Sequence, residues 1–269
     1  MIGSSRASLA AVSEQVADRY TDPNIGPAGA DLLAVADLVG REKPLRSMLA
    51  DGGRPSAERA AVVTELLNGK INGLAVELAA FIARQRWSNE HDLVDAFEFT
   101  GAEAMFAAAE RAGDLDQIEN ELFRFGRTVV SDGDLQLTLS SPALPAEPKA
   151  AILNELLAGK AHQSTIDLLA FVSSHLRGRR LDQAIDQLSE LAAQRRGMLL
   201  ATVQSAIELD DERRNRIRAA LQSLYGQKVE INVEVIPALV GGISIQIGDD
   251  LIDGSVASRL EKARRRISG

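Results

Sequence analysis

The chain has 269 residues, 45% of them hydrophobic and 25% charged, which fits one large globular domain or two ordinary ones. It contains no cysteine, and this excludes disulfide bonds, thiolate metal ligands and cysteine nucleophiles. Its formal net charge of −8 disfavours nucleic-acid binding, because phosphate recognition needs clustered cations. The sequence predicts neither a cofactor nor a nucleic-acid partner.

The sequence also predicts a protein without direct membrane insertion. It has no run of 18 or more apolar residues, which a membrane-spanning helix would require. The N-terminus lacks the apolar centre of a signal peptide and reaches the charged Glu14 early. We therefore expect a cytoplasmic protein, which a partner can still hold beside a membrane.

Nearly everything before about residue 197 is predicted to be amphipathic helix. Leu9, Val12 and Val16 recur at three- and four-residue steps, so they share one face of a first helix. Asp22–Pro23 is predicted to end this helix.

Two later helix starts have local signals. Ser88–Asn89 is predicted to cap a helix that runs to about Ala112. Asp114, with Gln117 three residues later, resembles a capping box that opens the next helix.

The helical part repeats itself at an offset of 90 residues. ELLNGK at 65–70 returns as ELLAGK at 155–160, and the same offset aligns 74–82 with 164–172. Such a run of matches indicates duplication of a helical unit. We predict one N-terminal helix followed by two five-helix units. The offset also pairs Leu45 with Leu135, Leu49 with Leu139, Pro55 with Pro145 and Asp92 with Asp182.

From Met198 the pattern changes to that of a small α+β domain with the predicted order β-α-β-β-α. Residues 228–236 and 243–247 alternate between apolar and polar side chains and so predict half-buried strands. Acidic residues at 210–212 open a helix after the first strand, and Gly226 ends it.

Glycines and aspartates in this domain have a functional and a simpler interpretation. Gly241–Gly242 with Gly248 departs from dinucleotide-binding spacing, so these glycines are predicted to relieve crowding or to allow a positive φ beside a strand. Asp249–Asp250 and Asp253 offer carboxylates to a cation, but a turn followed by a helix cap at Asp253 or Ser255 is the simpler interpretation.

No catalytic or metal-binding constellation is recognisable. His91, His162 and His175 lack a second histidine at ligand spacing, which favours surface or capping roles. Gly69 and Gly159 each precede a lysine, but the rest of the phosphate-loop pattern is missing, so both are predicted to end helices. The residues therefore favour a non-catalytic binding or scaffold protein.

Arginines and the single tryptophan are candidate contact residues. Arg177 and Arg179 lie at a helix junction, and Arg265 lies in the last predicted helix. A solvated helix end is one interpretation, and an arginine anchor at a protein interface is the other. Trp87 is predicted to be half buried, with an interface role as the alternative.

The stretch at 239–267 combines a Gly-Gly pair, an alternating strand, Gly-Asp and Ile-Asp-Gly-Ser before a helix carrying Arg-Leu. It resembles the terminal signature of the delta subunit of F-type ATP synthase, the family of the oligomycin-sensitivity-conferring protein. Val203, Ser205, Ala206 and Leu209 match the family's strand-then-helix entry. The signature residues are Leu239, Gly241, Gly242, Ile243, Ile245, Ile247, Gly248, Asp249, Ile252, Asp253, Gly254, Ser255, Arg259 and Leu260. The extra helical copy resembles long actinobacterial forms.

The resemblance implies a non-catalytic stator subunit within a hetero-oligomeric complex at the cytoplasmic face of the cell membrane. In the family, the helical domain grips the N-terminal helices of the α subunits, and the C-terminal domain meets the end of the b-subunit stalk. The alternative is a helical adaptor of an unrelated complex. The predicted contact residues are Leu9, Val12 and Val16 in a groove, with Trp87, Arg177, Arg179, Arg259 and Arg265 as further interface candidates.

Together these inferences predict a mainly α fold. A helical bundle with an internally duplicated five-helix unit is joined to a small C-terminal α+β domain. The predicted boundaries are 1–113 for the first bundle, 114–197 for the second helical unit and 198–269 for the C-terminal domain.

Overall fold

The computed structural model describes residues 3–237, 239, 241–247 and 250–253. These residues form twelve helices and four strands, so the fold is mainly α with a small C-terminal α+β part, as predicted. The chain divides into two compact units. The helical unit comprises Met1–Val16 and Asp22–Arg196, and the sheet unit comprises Ala17–Thr21 and Gly197–Gly269.

The helices of the helical unit repeat at the offset seen in the sequence. Helix α1 spans Ser4–Ala17. It is followed by α2 (Ile25–Arg41), α3 (Lys43–Ala50), α4 (Ser56–Leu67), α5 (Gly73–Arg84) and α6 (Glu90–Ala112). The second set is α7 (Leu115–Ser131), α8 (Gly133–Ser140), α9 (Ala146–Leu157), α10 (Gln163–Ser174) and α11 (Leu181–Arg196). Helices α7 to α10 begin and end 90 residues after α2 to α5, which confirms the predicted duplication.

Several helix ends follow their local sequence. The Asn89 side chain accepts a hydrogen bond from the Asp92 amide at 2.9 Å and so caps α6, as predicted. Gly113 ends the same helix at φ 84°. Gly69 and Gly159 follow α4 and α9 at φ 72° and 69°, which confirms that both end helices.

The predicted capping box at the start of α7 is wrong. The Asp114 side chain makes no capping hydrogen bond, and Gln117 Nε2 donates to Glu121 Oε1 at 2.7 Å. The Asp114 carboxylate instead lies 3.6 Å from His162 Nε2 at the start of α10. A tertiary contact has therefore replaced the local one that the spacing predicted.

Helix α6 packs on more than one side. It buries 14 of its 23 residues, whereas α7 buries only six of 17, so α6 lacks the single apolar stripe of a surface helix. Ala102, Met105, Phe106 and Ala109 of α6 belong to the same apolar cluster as the cores of α7 to α11. We therefore describe repeat I as α1 to α6 and repeat II as α6 to α11, with α6 shared.

The contacts of α1 and α6 support this description. Ser5 and Ser8 of α1 hydrogen-bond to the backbone of the linker between α5 and α6, at 2.8 and 2.7 Å. Ninety positions later, Asp95 and Glu98 of α6 accept hydrogen bonds from arginine side chains of the linker between α10 and α11, Arg177 and Arg179. Helix α6 therefore opens repeat II in the way that α1 opens repeat I.

Helices α2 and α6 cross closely at two glycines. A Cβ atom on Gly29 would lie 2.6 Å from the carbonyl oxygen of Gly101, and one on Gly101 would lie 2.9 Å from that of Gly29. Glycine weakens a helix interior, so its presence in both helices has a packing reason. The close approach lets Leu33 of α2 lie against Gly101.

A carboxylate anchors the start of an equivalent helix in each repeat. Asp31 of α2 accepts a hydrogen bond from the Asn72 amide, and Glu121 of α7 accepts one from the His162 amide, at 2.8 and 2.9 Å. The Thr165 hydroxyl also donates to Glu121. Burial acts to raise the pKa of Glu121, but the hydrogen bonds outweigh burial and lower that pKa.

The sheet unit is built on a four-stranded sheet of order β2-β1-β3-β4. Strands β1 and β2 pair in parallel, and the crossover between them is α12, whereas the β1–β3 and β3–β4 pairs are antiparallel. Ala201, Val203, Ile231 and Ile245 form the buried face together with Leu221 of α12. The elements are β1 (Met198–Ser205), α12 (Asp211–Tyr225), β2 (Lys228–Val235), β3 (Ile243–Ile247) and β4 (Asp250–Asp253).

Strand β4 was not predicted. Asp250 pairs with Ile247 and Asp253 with Ser244, so the residues expected in a turn and a helix cap lie in a strand. The four residues of β4, Asp-Leu-Ile-Asp, do not alternate between apolar and polar side chains, so the pattern that identified β2 and β3 is missing here. The predicted final helix lies outside the described residues.

Adding a methyl group at the glycine crossing should destabilise the fold. For Gly29→Ala or Gly101→Ala we expect a loss of about 1–3 kcal/mol, because the two helices must separate. Urea unfolding measures this loss. Gly133→Ala is the matched control, because a Cβ there meets no atom within 4 Å. Equal losses at Gly29 and Gly133 would contradict the crossing argument.

The Glu121 contact should make part of the stability depend on pH. Because folding lowers its pKa below the ordinary value of 4.5, its contribution is complete above that value and disappears as pH falls through the folded pKa. Glu121→Gln should therefore reduce the free energy of unfolding at neutral pH, with the difference closing in acid. Chemical denaturation across this range tests it, with Glu155→Gln at an exposed glutamate of α9 as the control, and a difference that stays constant into acid would contradict the prediction.

Candidate protein-interaction sites

The described residues offer no metal site and no membrane span. No group of three or more His, Asp or Glu side chains within them is arranged to hold a metal ion. None of their helices has both the length and the apolar character needed to cross a bilayer.

The predicted groove residues of α1 are mostly internal. Val12 and Val16 are 0% exposed, whereas Leu9 is partly exposed. The same pattern holds 90 positions later in α6, where Phe106 is 0% exposed and Phe99 is partly exposed. Each repeat therefore presents one accessible apolar side chain at the same position of its opening helix.

Trp87 is buried, whereas the sequence predicted that it would be half buried. Its side chain lies in the linker between α5 and α6, is 7% exposed and donates from Nε1 to the Ile82 carbonyl at 3.0 Å. The hydroxyls of Ser5 and Ser8 hold the same linker from α1. This packing satisfies the indole N–H inside the protein.

Arg177 and Arg179 make intramolecular ion pairs. Arg177 binds Asp95 at 2.7 Å and also Glu98, while Arg179 binds both oxygens of Glu98 at 2.8 and 3.0 Å. Glu98 is 5% exposed, so two cations compensate its burial. Burial acts to lower the pKa of Arg177, but the Glu98 and Asp95 carboxylates outweigh it and raise that pKa. These arginines fix the linker between α10 and α11 to α6.

A buried cation at the same place in each repeat was missed by the sequence analysis. Arg59 in α4 and Lys149 in α9 are 2% and 4% exposed. Lys149 Nζ donates to the Ser173 carbonyl at 2.7 Å, near the end of α10. Burial lowers the pKa of both cations. Arg59 donates to the carbonyls of Leu49, Arg84 and Gln85.

The sequence did contain a signal for this pair. The 90-residue offset places the cation Arg59 of α4 on the cation Lys149 of α9. Cationic side chains favour helix C-termini, because the last carbonyls lack partners within the helix. Arg59 and Lys149 therefore complete the C-terminal ends of α5 and α10 from a neighbouring helix.

Exposed apolar side chains of the helical unit concentrate in repeat II. Within the described residues, repeat I shows only Val62 among its large exposed hydrophobic side chains, at 38%. The corresponding residues of repeat II are Phe123 at 55%, Val130 at 64%, Leu137 at 72% and Leu156 at 42%. The two repeats are thus alike in fold and different in surface.

In the sheet unit, family-signature residues line one cleft of about 520 Å³. Ser205 and Ala206, at the end of β1, face Gly241 and Gly242 before β3. The two glycines have φ values of 137° and 82°, which confirms the prediction of positive φ beside a strand. Ile207, 60% exposed, also lines the cleft.

Of the remaining predicted site residues, Asp253 lies within the described part of the chain and the others do not. The backbone of Asp253 lies in β4. Gly248, Gly254, Ser255, Arg259 and Arg265 lie outside the described residues.

Comparison with known proteins gives consistent matches over the whole length. A family model described as ATP synthase delta (OSCP) subunit matches residues 100–267, a segment that begins inside α6 and covers the rest of repeat II. A protein of Streptomyces griseus subsp. griseus named ATP synthase subunit delta is 41% identical over 272 residues, covering 100% of both chains. Proteins of the same name from Salinispora arenicola and Thermobifida fusca are 41% and 35% identical. The alignments cover 93% of this chain and 92% of the Salinispora protein, and 100% of both chains for Thermobifida.

A chain in a cryo-EM structure of the Toxoplasma gondii mitochondrial ATP synthase hexamer is also similar. It is 19% identical, and the alignment covers 62% of this chain and 95% of that one, at a TM-score of 0.29. The family match spans more than half of the chain, and full-length relatives align over all of it. The chain therefore belongs to the ATP synthase delta (OSCP) subunit family, whose members are structural rather than catalytic subunits.

Proposed function

We propose that this chain is the stator subunit that joins the catalytic head of an F-type ATP synthase to the b-subunit stalk. The helical unit binds the N-terminal helices of α subunits, and the sheet unit binds the far end of the b subunit. The complex holds the chain at the cytoplasmic face of the cell membrane. The observation that carries the proposal is the family match across repeat II and the sheet unit.

The binding surface for the head is proposed to include Leu9 and Phe99. A helix that docks into a groove needs an accessible apolar edge, and these are the partly exposed residues at equivalent positions of α1 and α6. Because both repeats present this position, the chain offers two sites for α-subunit helices. Val12 and Val16 support the α1 surface from the core, and Phe106 supports the α6 surface.

The binding surface for the b subunit is proposed to be the cleft of the sheet unit. Ile207 and Ile217 give it an apolar part, and Arg213 and Arg216, which pair with Asp210 and Glu212, give it a charged rim. An apolar centre with a polar rim is the usual anatomy of a protein interface. Family-signature residues also line this cleft, which supports its assignment to a partner shared by the family.

The head-binding proposal predicts the stoichiometry of a peptide titration. We expect two peptides from the N-terminus of the cognate α subunit to bind each full-length chain in isothermal titration calorimetry. Leu9→Ser and Phe99→Ser should each weaken one site by roughly tenfold, as apolar contact residues do. Val62→Ser, at an exposed apolar position of α4, is the control. Absence of binding both to the peptide and to the isolated head would contradict the proposed contact with the α subunits.

The stalk-binding proposal predicts separable effects of substitutions in the sheet unit. Ile207→Ser should weaken binding of the cognate b-subunit cytoplasmic segment by roughly tenfold, because an exposed apolar contact is lost. Binding to the head should remain unchanged. Leu251→Ser, 65% exposed in β4, is the matched control. Surface plasmon resonance with the immobilised b segment measures both variants, and equal losses for the two would argue against the cleft.

A further inference from the structure

The face of α2 that repeat II covers has an uncovered counterpart in α7. Leu33 of α2 is 6% exposed and belongs to the apolar cluster of repeat II. One turn later, Asp37 Oδ1 lies 2.9 Å from Nε2 of His175, in the linker between α10 and α11. The shared helix α6 therefore supplies apolar packing to this face of α2, and the linker between α10 and α11 supplies a polar partner.

The equivalent residues of α7 are exposed. The 90-residue offset places Phe123 at the position of Leu33 and Arg127 at the position of Asp37. Phe123 is 55% exposed, and Val130, seven residues later on the same face of the helix, is 64% exposed. We call the surface formed by Phe123, Arg127 and Val130 the open α7 face.

The charge of this face differs from that of its counterpart. Where α2 presents the Asp37 carboxylate, α7 presents the Arg127 guanidinium, and Arg124 lies beside it. Neither arginine side chain pairs with an acidic residue in the described part of the chain. A partner that covers this face therefore gains by bringing carboxylates.

A second copy of the chain fits the face poorly. A second copy could pack its repeat I on α7 in the way that repeat II packs on α2 within the chain. Gln85 of that copy would then occupy the position of His175, and its neutral side chain would bring no charge to Arg127. Each copy also carries a formal net charge of −8, so two copies repel each other.

We propose that the open α7 face binds an amphipathic partner helix whose apolar stripe is flanked by carboxylates. Phe123 and Val130, seven residues apart, match the spacing of apolar anchors in a helix packed alongside α7. The carboxylate flank pairs with Arg127 and Arg124. This site is separate from Leu9 and Phe99, so it does not depend on the proposed contact with the α subunits.

A synthetic peptide tests the proposal without any ATP synthase component. The probe is a fluorescein-labelled, helix-forming peptide about five turns long, with a leucine stripe flanked by glutamates. Its twin carries lysines in place of the glutamates. We expect the acidic peptide to bind the full-length chain in fluorescence anisotropy, more weakly as salt rises, and the lysine peptide to bind at least tenfold more weakly.

Substitutions then locate the binding site. Phe123→Ser and Arg127→Glu should each weaken binding of the acidic peptide roughly tenfold, and Arg127→Glu should improve binding of the lysine peptide. Leu156→Ser, 42% exposed on α9, is the control and should change neither. All these side chains are exposed, and unchanged thermal melts should confirm that the variants fold.

Three results would overturn the proposal. The first is equal binding of the two peptides, which would remove the requirement for carboxylates. The second is binding that Phe123→Ser and Arg127→Glu leave unchanged, which would place the peptide elsewhere. The third is a wild-type dimer in analytical ultracentrifugation that Phe123→Ser dissociates, which would identify a second copy as the occupant.

Discussion

Helix α6 packs against both repeats, because it ends repeat I and opens repeat II. Gly101 lets α2 approach, while Asp95 and Glu98 hold the linker between α10 and α11. No linker segment separates the repeats, since α6 runs unbroken from Glu90 to Ala112. Relative movement of the repeats would therefore require breaking a helix or exposing its buried residues, and both cost free energy.

Apolar packing and buried charges have different roles at this junction. The cluster that runs from Leu33 through α6 into repeat II is non-directional and stabilises any arrangement that buries it. Ion pairs require a particular register, because a carboxylate that is 5% exposed, such as that of Glu98, is costly without its partners. Arg195, 4% exposed and paired with Glu110 at 2.8 Å, adds a second fixed point between α6 and α11. The charges therefore select the register that the apolar cluster stabilises.

Sequence periodicity predicted the helices well, because they depend on local spacing, and sequence matches at an offset of 90 residues predicted their duplication. The shared role of α6 was missed, because α1 and α6 hold their linkers with different chemical groups. Ser5 and Ser8 of α1 use hydroxyl groups, whereas Asp95 and Glu98 of α6 use carboxylates. The two helices therefore look unrelated at these positions.

The candidate contact residues were harder to predict, because spacing identifies a face of a helix and not what covers it. Val12 and Val16 share the predicted face with Leu9, yet both valines are fully buried and only Leu9 stays partly exposed. Trp87 is covered because its linker folds back onto α5, where the Ile82 carbonyl accepts its N–H. Both outcomes depend on residues distant in sequence, which a local pattern does not contain.

Comparing the repeats separates positions fixed by the fold from positions fixed by neighbours. Arg59 and Lys149 differ in side chain but have the same task, because the ends of α5 and α10 need a donor whatever lies outside. Asp37 and Arg127 occupy equivalent positions with opposite charge, because one faces His175 and the other faces outward. A duplicated fold can therefore keep its internal donors while its surfaces diverge.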